Sequence, residues 1–124
     1  MLNIFAVFIG GGIGACLRYL TGILCMTAIR CNLPIATFIV NIIGCFLIGF
    51  FYIMFVEKIQ YSNSLKLLLT VGFCGGLTTF STFSVELFDM IQKQMFMHAL
   101  LYAVLSIILG FAAVYFGGYC AKFL

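Results

Sequence analysis

Four long apolar runs, each interrupted by only a few polar positions, account for almost the whole chain. A helix needs about 20 consecutive apolar residues to cross a bilayer, and residues 2–28, 34–56, 65–91 and 95–121 each meet that length. The segments between them, 29–33, 57–64 and 92–94, are short. Arg30, Glu57, Lys58, Lys66, Lys93 and Lys122 fall at these boundaries. The pattern predicts one all-α transmembrane domain over 1–124, with four helices and no soluble domain. No Lys or Arg precedes the first run, which is longer than the ~7–15 residues of a signal-peptide core, so it is expected to stay as a span.

Within the runs the polar positions are not scattered. On helix one, Gly10, Gly14, Arg18 and Gly22 recur every four residues and share a face, and small residues at that spacing let helices approach closely. Helix two starts at Pro34, a favoured first helical position, and carries Thr37, Asn41 and Gly44 along one face. On helix four, Tyr102, Ser106 and Gly110 repeat the four-residue step. The densest polar stretch lies in helix three: Gly72-Phe73-Cys74-Gly75-Gly76-Leu77-Thr78-Thr79-Phe80-Ser81-Thr82-Phe83-Ser84-Val85-Glu86. Its glycines followed by Thr78 and Thr79 predict a helix broken over 75–78. Irregular backbone at membrane depth survives only where it is buried in protein or lines water, and its freed carbonyls and N–H groups make ion sites. Past the break, Phe80 and Phe83 share one face, and Thr79, Thr82 and Glu86 form a second, polar one.

Composition agrees with the pattern. The chain is 65% hydrophobic and 7% charged, with mean hydropathy +1.29, whereas about a quarter of residues in soluble domains are charged. The net charge of +3 is spread along the chain and argues against a nucleic-acid partner. Loop charge hardly chooses an orientation. Lys58, Lys66 and Lys122 stand on one side against Arg30 and Lys93 on the other, so insertion both ways up is the expectation. Six cysteines show no metal-ligand spacing and read as small apolar packing groups. The single His98, and the lack of paired carboxylates or a serine–histidine set, give no basis for an enzyme. The Gly-rich run 10–15 fits a dinucleotide fingerprint but has no βαβ unit around it.

The intramembrane polar groups are mostly hydrogen-bond donors, and the deepest charge is the cation of Arg18. Arg18 either snorkels to the interface or faces an anion vestibule. Asn41 is either interhelical glue or a ligand contact. Donors, an arginine and the positive edges of phenylalanine rings suit a small anion. Four helices enclose little space, so a pore is expected from an oligomer, most simply a two-fold pair.

With these motifs the chain resembles the CrcB/Fluc fluoride channels: Gly11-Gly12-Ile13-Gly14-Ala15-Cys16-Leu17-Arg18-Tyr19, Thr37-Phe38-Ile39-Val40-Asn41-Ile42-Ile43-Gly44 and, above all, the 72–86 stretch. The resemblance implies an antiparallel, dual-topology homodimer in the bacterial inner (plasma) membrane, exporting fluoride passively through two pores. It would place Phe80, Phe83, Asn41, Ser81, Thr82, Tyr102 and Ser106 along the pore, Arg18 as vestibule charge and Glu86 near a pore mouth. Gly110 departs from the hydroxyl many members carry there. A structural sodium ion at the dimer interface would be held by the backbone carbonyls of Gly75 and Thr78. The other reading is a small multidrug-type exporter. It would want a carboxylate in helix one, where this chain has Arg18.

Overall fold

In the computed structural model, the described residues are 1–28, 34–58 and 62–123, with the side chains of 57 and 58 left aside. They form helices joined by short turns, with no strand among them. Arg30 and Cys31, and the side chain of Lys58, lie outside what is described, so two of the five basic residues used for orientation are not placed.

Helix α1 runs Leu2–Ala28. Helix α2 runs Ile35–Ile53 and ends in a wider π-turn, Met54–Lys58. Pro34 sits just ahead of α2, and its carbonyl takes the Phe38 N–H at 3.2 Å. Helix α3, residues 63–77, starts two residues before the apolar run suggests because Ser62 caps it, accepting from Leu65 N at 3.3 Å. Its middle, Leu68–Cys74, widens into a π-helical stretch before a last turn, Gly75–Leu77. Helix α4 is Phe80–Gln92 and α5 is Phe96–Lys122. Together α3 and α4 make one broken span, giving four membrane-length spans in all: Leu2–Ala28, Ile35–Val56, Asn63–Gln92 and Phe96–Lys122. Only 17–22% of the most apolar window of each span is buried within the chain. The remainder, including Ile4, Phe8, Ile107 and Phe111, faces outward, as a chain solvated by lipid allows. The protein is a multi-pass membrane protein.

The break lies at Thr78 and Thr79, slightly later than the 75–78 expected. Gly75 stays helical (φ −65, ψ −34), whereas Thr78 (φ −81, ψ 156) and Thr79 (φ −150, ψ 122) are extended. The glycines serve packing. A Cβ at Gly14 would collide with the carbonyl of Phe73, and one at Gly76 with that of Gly11, so α1 and α3 run side by side, nearly backbone to backbone. Gly22, at the same four-residue step, has nothing near it within the chain. Helices α2 and α5 pair in the same manner through Gly49 against Val114 and Gly117 against Phe46. The two pairs meet at the break, where Gly44 receives the Thr78 methyl.

Candidate ion pathway at the helix break

Two threonines end one half-helix and begin the other. Thr78 donates its hydroxyl back to the Cys74 carbonyl at 2.9 Å, closing the last turn of α3. Thr79, 7% exposed, caps α4: its Oγ1 accepts from Thr82 N at 3.2 Å and donates to Thr82 Oγ1 at 3.0 Å, with Ser81 Oγ at 3.3 Å. The Thr79 backbone is taken by Asn41. The side-chain oxygen of Asn41 accepts Thr79 N–H at 2.8 Å, and its Nδ2 donates to the Thr79 carbonyl at 3.1 Å. A carboxamide matches an extended peptide unit in this way, one donor and one acceptor side by side. Because Thr79 N–H turns to Asn41, the helical bond it would make to the Gly75 carbonyl is not formed. Asn41 keeps one further N–H, since an amide nitrogen carries two donors.

On one side of the break lies a cavity of about 440 Å³, whose lining includes Asn41, Thr78, Thr79, Phe80, Phe83 and Ser106. Phe80 and Phe83 are adjacent (ring centroids 5.9 Å apart, interplanar angle 37°), and Phe83 leans on Tyr102 at 5.1 Å. Phe80 is 80% exposed and projects away from its own chain. The Ser106 hydroxyl oxygen is buried with no hydrogen-bond partner, which is unusual, since buried polar groups are nearly always paired.

On the other side is a second cavity, about 400 Å³, bounded among others by Arg18, Thr37, Thr79, Thr82 and Glu86. Arg18 reaches the break itself, donating from Nη1 to the Thr78 carbonyl at 3.3 Å, so it is tied inward. Glu86 is held between helices: Thr37 donates to Oε1 at 2.6 Å and Tyr102 to Oε2 at 2.8 Å. The carboxylate thus joins α2, α4 and α5, and the Tyr102 hydroxyl proton is already engaged. Thr79 lines both cavities and is the wall between them.

Nine of the site residues named from sequence, Arg18, Asn41, Gly75, Thr78, Phe80, Phe83, Thr82, Glu86 and Ser106, therefore gather in two cavities that adjoin at one threonine. Tyr102 stands beside them through Glu86 and Phe83, and Ser81 through Thr79. Gly75 borders the first cavity and is exposed, with nothing within 4 Å of a Cβ built on it. Gly110 abuts Cys45. Thr79 and Thr37 belong to the site as much as any of these. Their signal was in the sequence: Thr37 precedes Asn41 by one helical turn, and Thr79 precedes Thr82 at capping distance.

The model of one protein family, described as CrcB-like protein, Camphor Resistance (CrcB), matches residues 5–118. Three relatives, each named "Fluoride-specific ion channel FluC", align over nearly their full length. The Bacteroides fragilis protein is 46% identical over 98% of both chains. That of Flavobacterium psychrophilum is 42% identical, also over 98% of both. That of Phocaeicola vulgatus is 41% identical over 94% of this chain and 96% of its own.

Proposed function

This chain belongs to the CrcB-like family, and from that premise we propose that it is a fluoride-specific channel, passing the anion passively across the inner membrane and lowering cytoplasmic fluoride. The observation that carries the reading is the first cavity: two phenylalanines, an asparagine amide and a serine whose hydroxyl has no partner line one space beside a helix break. Fluoride is small and strongly hydrated, so it enters only where donors replace its water. Phenylalanine presents the positive rim of its quadrupole, Ser106 a hydroxyl with no competing partner, and Asn41 its second N–H. Ser81 and Thr82 add hydroxyls past the break. Tyr102 acts through Glu86 and Phe83, shaping the wall.

Arg18 supplies positive potential to the second cavity, and Glu86 opposes it there. Thr37 and Tyr102 both donate to Glu86, and this spreads its charge over two hydrogen bonds. With Thr79 between the cavities, the anion's path runs from the Arg18 side past the Thr79–Thr82 hydroxyls to Phe80 and Phe83. The work is electrical. Hydrogen fluoride enters as a neutral acid and ionises in the more alkaline cytoplasm, and each 100 mV of inside-negative potential then favours exit by about 2.3 kcal/mol per charge.

The working unit is an antiparallel homodimer with two pores. Phe80 projects outward from its own chain, and a partner's cavity would receive it. The same axis would bring two copies of the break together. The Gly75 carbonyl, released by Thr79, and the second lone pair of the Thr78 carbonyl, whose first meets Arg18, supply hard oxygen ligands of the kind sodium takes. Two copies double that set, so the residues fit a structural sodium ion, whose role there is to join the two breaks.

Fluoride efflux from proteoliposomes, followed with a fluoride electrode beside a chloride control, tests the function. Fluoride release with chloride retained is the expected result. No fluoride release, or equal chloride release, overturns it.

A further inference from the structure

The first cavity holds two groups for which fluoride passage has no use, the free thiols of Cys45 on α2 and Cys74 on α3. Interior thiols usually pack as small apolar groups, but these two border open volume. Cys74 is 3% exposed, and Cys45 is half-buried. Across from Cys45 the helix carries Gly110, and a Cβ built there would come within 3.5 Å of the sulfur, so no side chain from that position covers it. Both residues line the same cavity from neighbouring helices. Ser106, whose hydroxyl has no partner, lines the same space.

We propose that Cys45 and Cys74 together bind one soft, thiophilic divalent cation of the mercuric kind, and that its presence closes the cavity to anions. Ligand number excludes harder ions. Zinc takes four tetrahedral ligands, and among the described residues no group of three or more His, Cys, Asp or Glu is gathered. A mercuric ion is satisfied by two sulfurs in line, and soft thiolates select soft metals. In the binding step each S–H gives its proton to water and two sulfur–metal bonds form. No electron is transferred, and the two thiolate charges cancel the metal's. The neutral product suits a membrane interior, whereas a monovalent silver ion would leave one negative charge uncompensated there. Because two protons leave, binding tightens as pH rises. The metal would sit beside Phe80 and Phe83, and the closure, unlike the binding, rests on the fluoride path proposed above.

The test uses the full chain with Cys16, Cys25, Cys31 and Cys120 changed to alanine. It is loaded with mercuric chloride, desalted, and assayed both for metal per chain by mass spectrometry and for fluoride efflux. One mercury per chain is expected, with efflux reduced at least tenfold and restored by dithiothreitol. Cys45→Ala or Cys74→Ala should each weaken retention tenfold or more, and the pair should abolish it. Serine replacements give the same comparison if an alanine variant elutes abnormally. Retention by either single variant equal to that of the unsubstituted pair overturns the paired site, and metal bound with efflux unchanged overturns the closure. If the unloaded protein passes no fluoride, the function reading fails, while the metal count still decides the site.

Discussion

At the scale of single residues, the break is held by Asn41 more than by its glycines. Asn41→Ala would leave both the N–H and the carbonyl of Thr79 without a partner in a half-dry interior, a loss of about 1–3 kcal/mol. Asn41→Asp keeps the acceptor for Thr79 N–H but sets a carboxylate against the Thr79 carbonyl. Both variants should melt earlier in detergent and lose most fluoride flux; an unchanged melting temperature would remove Asn41 from the break. Ser106 behaves oppositely. Its hydroxyl has no partner, so Ser106→Ala should leave stability unchanged or raise it by about 1 kcal/mol while efflux falls about tenfold. Stability and flux moving together would place Ser106 in packing instead of conduction. These two residues show what the sequence could and could not convey. That Asn41 and Ser106 are costly polar groups in apolar runs was legible from hydropathy alone. Their partners were not, because Asn41 and Thr79 are 38 positions apart and only helix packing sets their register. For the same reason the partners of Glu86, Thr37 and Tyr102, could not be read from the sequence.

Among the elements, two joints make quantitative claims. The turn from α4 to α5 passes through Gln94 at φ 60, with Met95 N bonded to Met90 O at 2.9 Å and Gln94 N to Ile91 O at 3.0 Å. This is the helix C-terminal motif that glycine favours, and a residue with a Cβ loses roughly 1–2 kcal/mol in that conformation. Gln94→Gly should therefore stabilise the protein by about 1 kcal/mol net and raise its melting temperature without altering flux. The α1–α3 seam makes the converse case. Gly14→Ala would drive a methyl into the Phe73 carbonyl and the Leu77 backbone, at a loss of about 1–3 kcal/mol, whereas Gly12→Ala meets nothing within 4 Å and should be silent. Equal behaviour of the two would mean that the helices do not touch where described. The four-residue glycine spacing foretold close approach, and it held for Gly10 and Gly14 but not for Gly22. A four-residue step drifts around a helix, so a stripe that starts against a neighbour leaves it within a few turns. The break was placed slightly early because glycine is a weak helix former by propensity, and tertiary contact with α1 overrode that preference.

For the whole molecule, the question is how a chain with two half-built cavities becomes a conductor. Lipid satisfies most of the unburied apolar surface of the spans, so what calls for a second copy is Phe80, which is 80% exposed although it borders the first cavity. The proposed sodium ion would belong to the proposed dimer: exchanging it for a large organic cation should lower the protein's melting temperature, and an unchanged value would remove the ion from the proposal. Orientation gives the sharper test. Counted along the sequence, three basic residues stand against two at the boundaries, a surplus of one that leaves orientation open, whereas a larger surplus directs insertion. Changing Lys93 to Gln makes the count three against one and should bias every copy one way, and Lys66→Gln and Lys122→Gln with Gln92→Arg makes it one against three and should bias every copy oppositely. If the functional pair is antiparallel, each variant alone should lose most fluoride efflux, because copies of one orientation cannot pair head to tail, and co-expression should restore it. Full efflux from either variant alone, with cysteine labelling confirming a single orientation, would require a parallel pair or a conducting monomer, and the outward Phe80 would then need a different receiver.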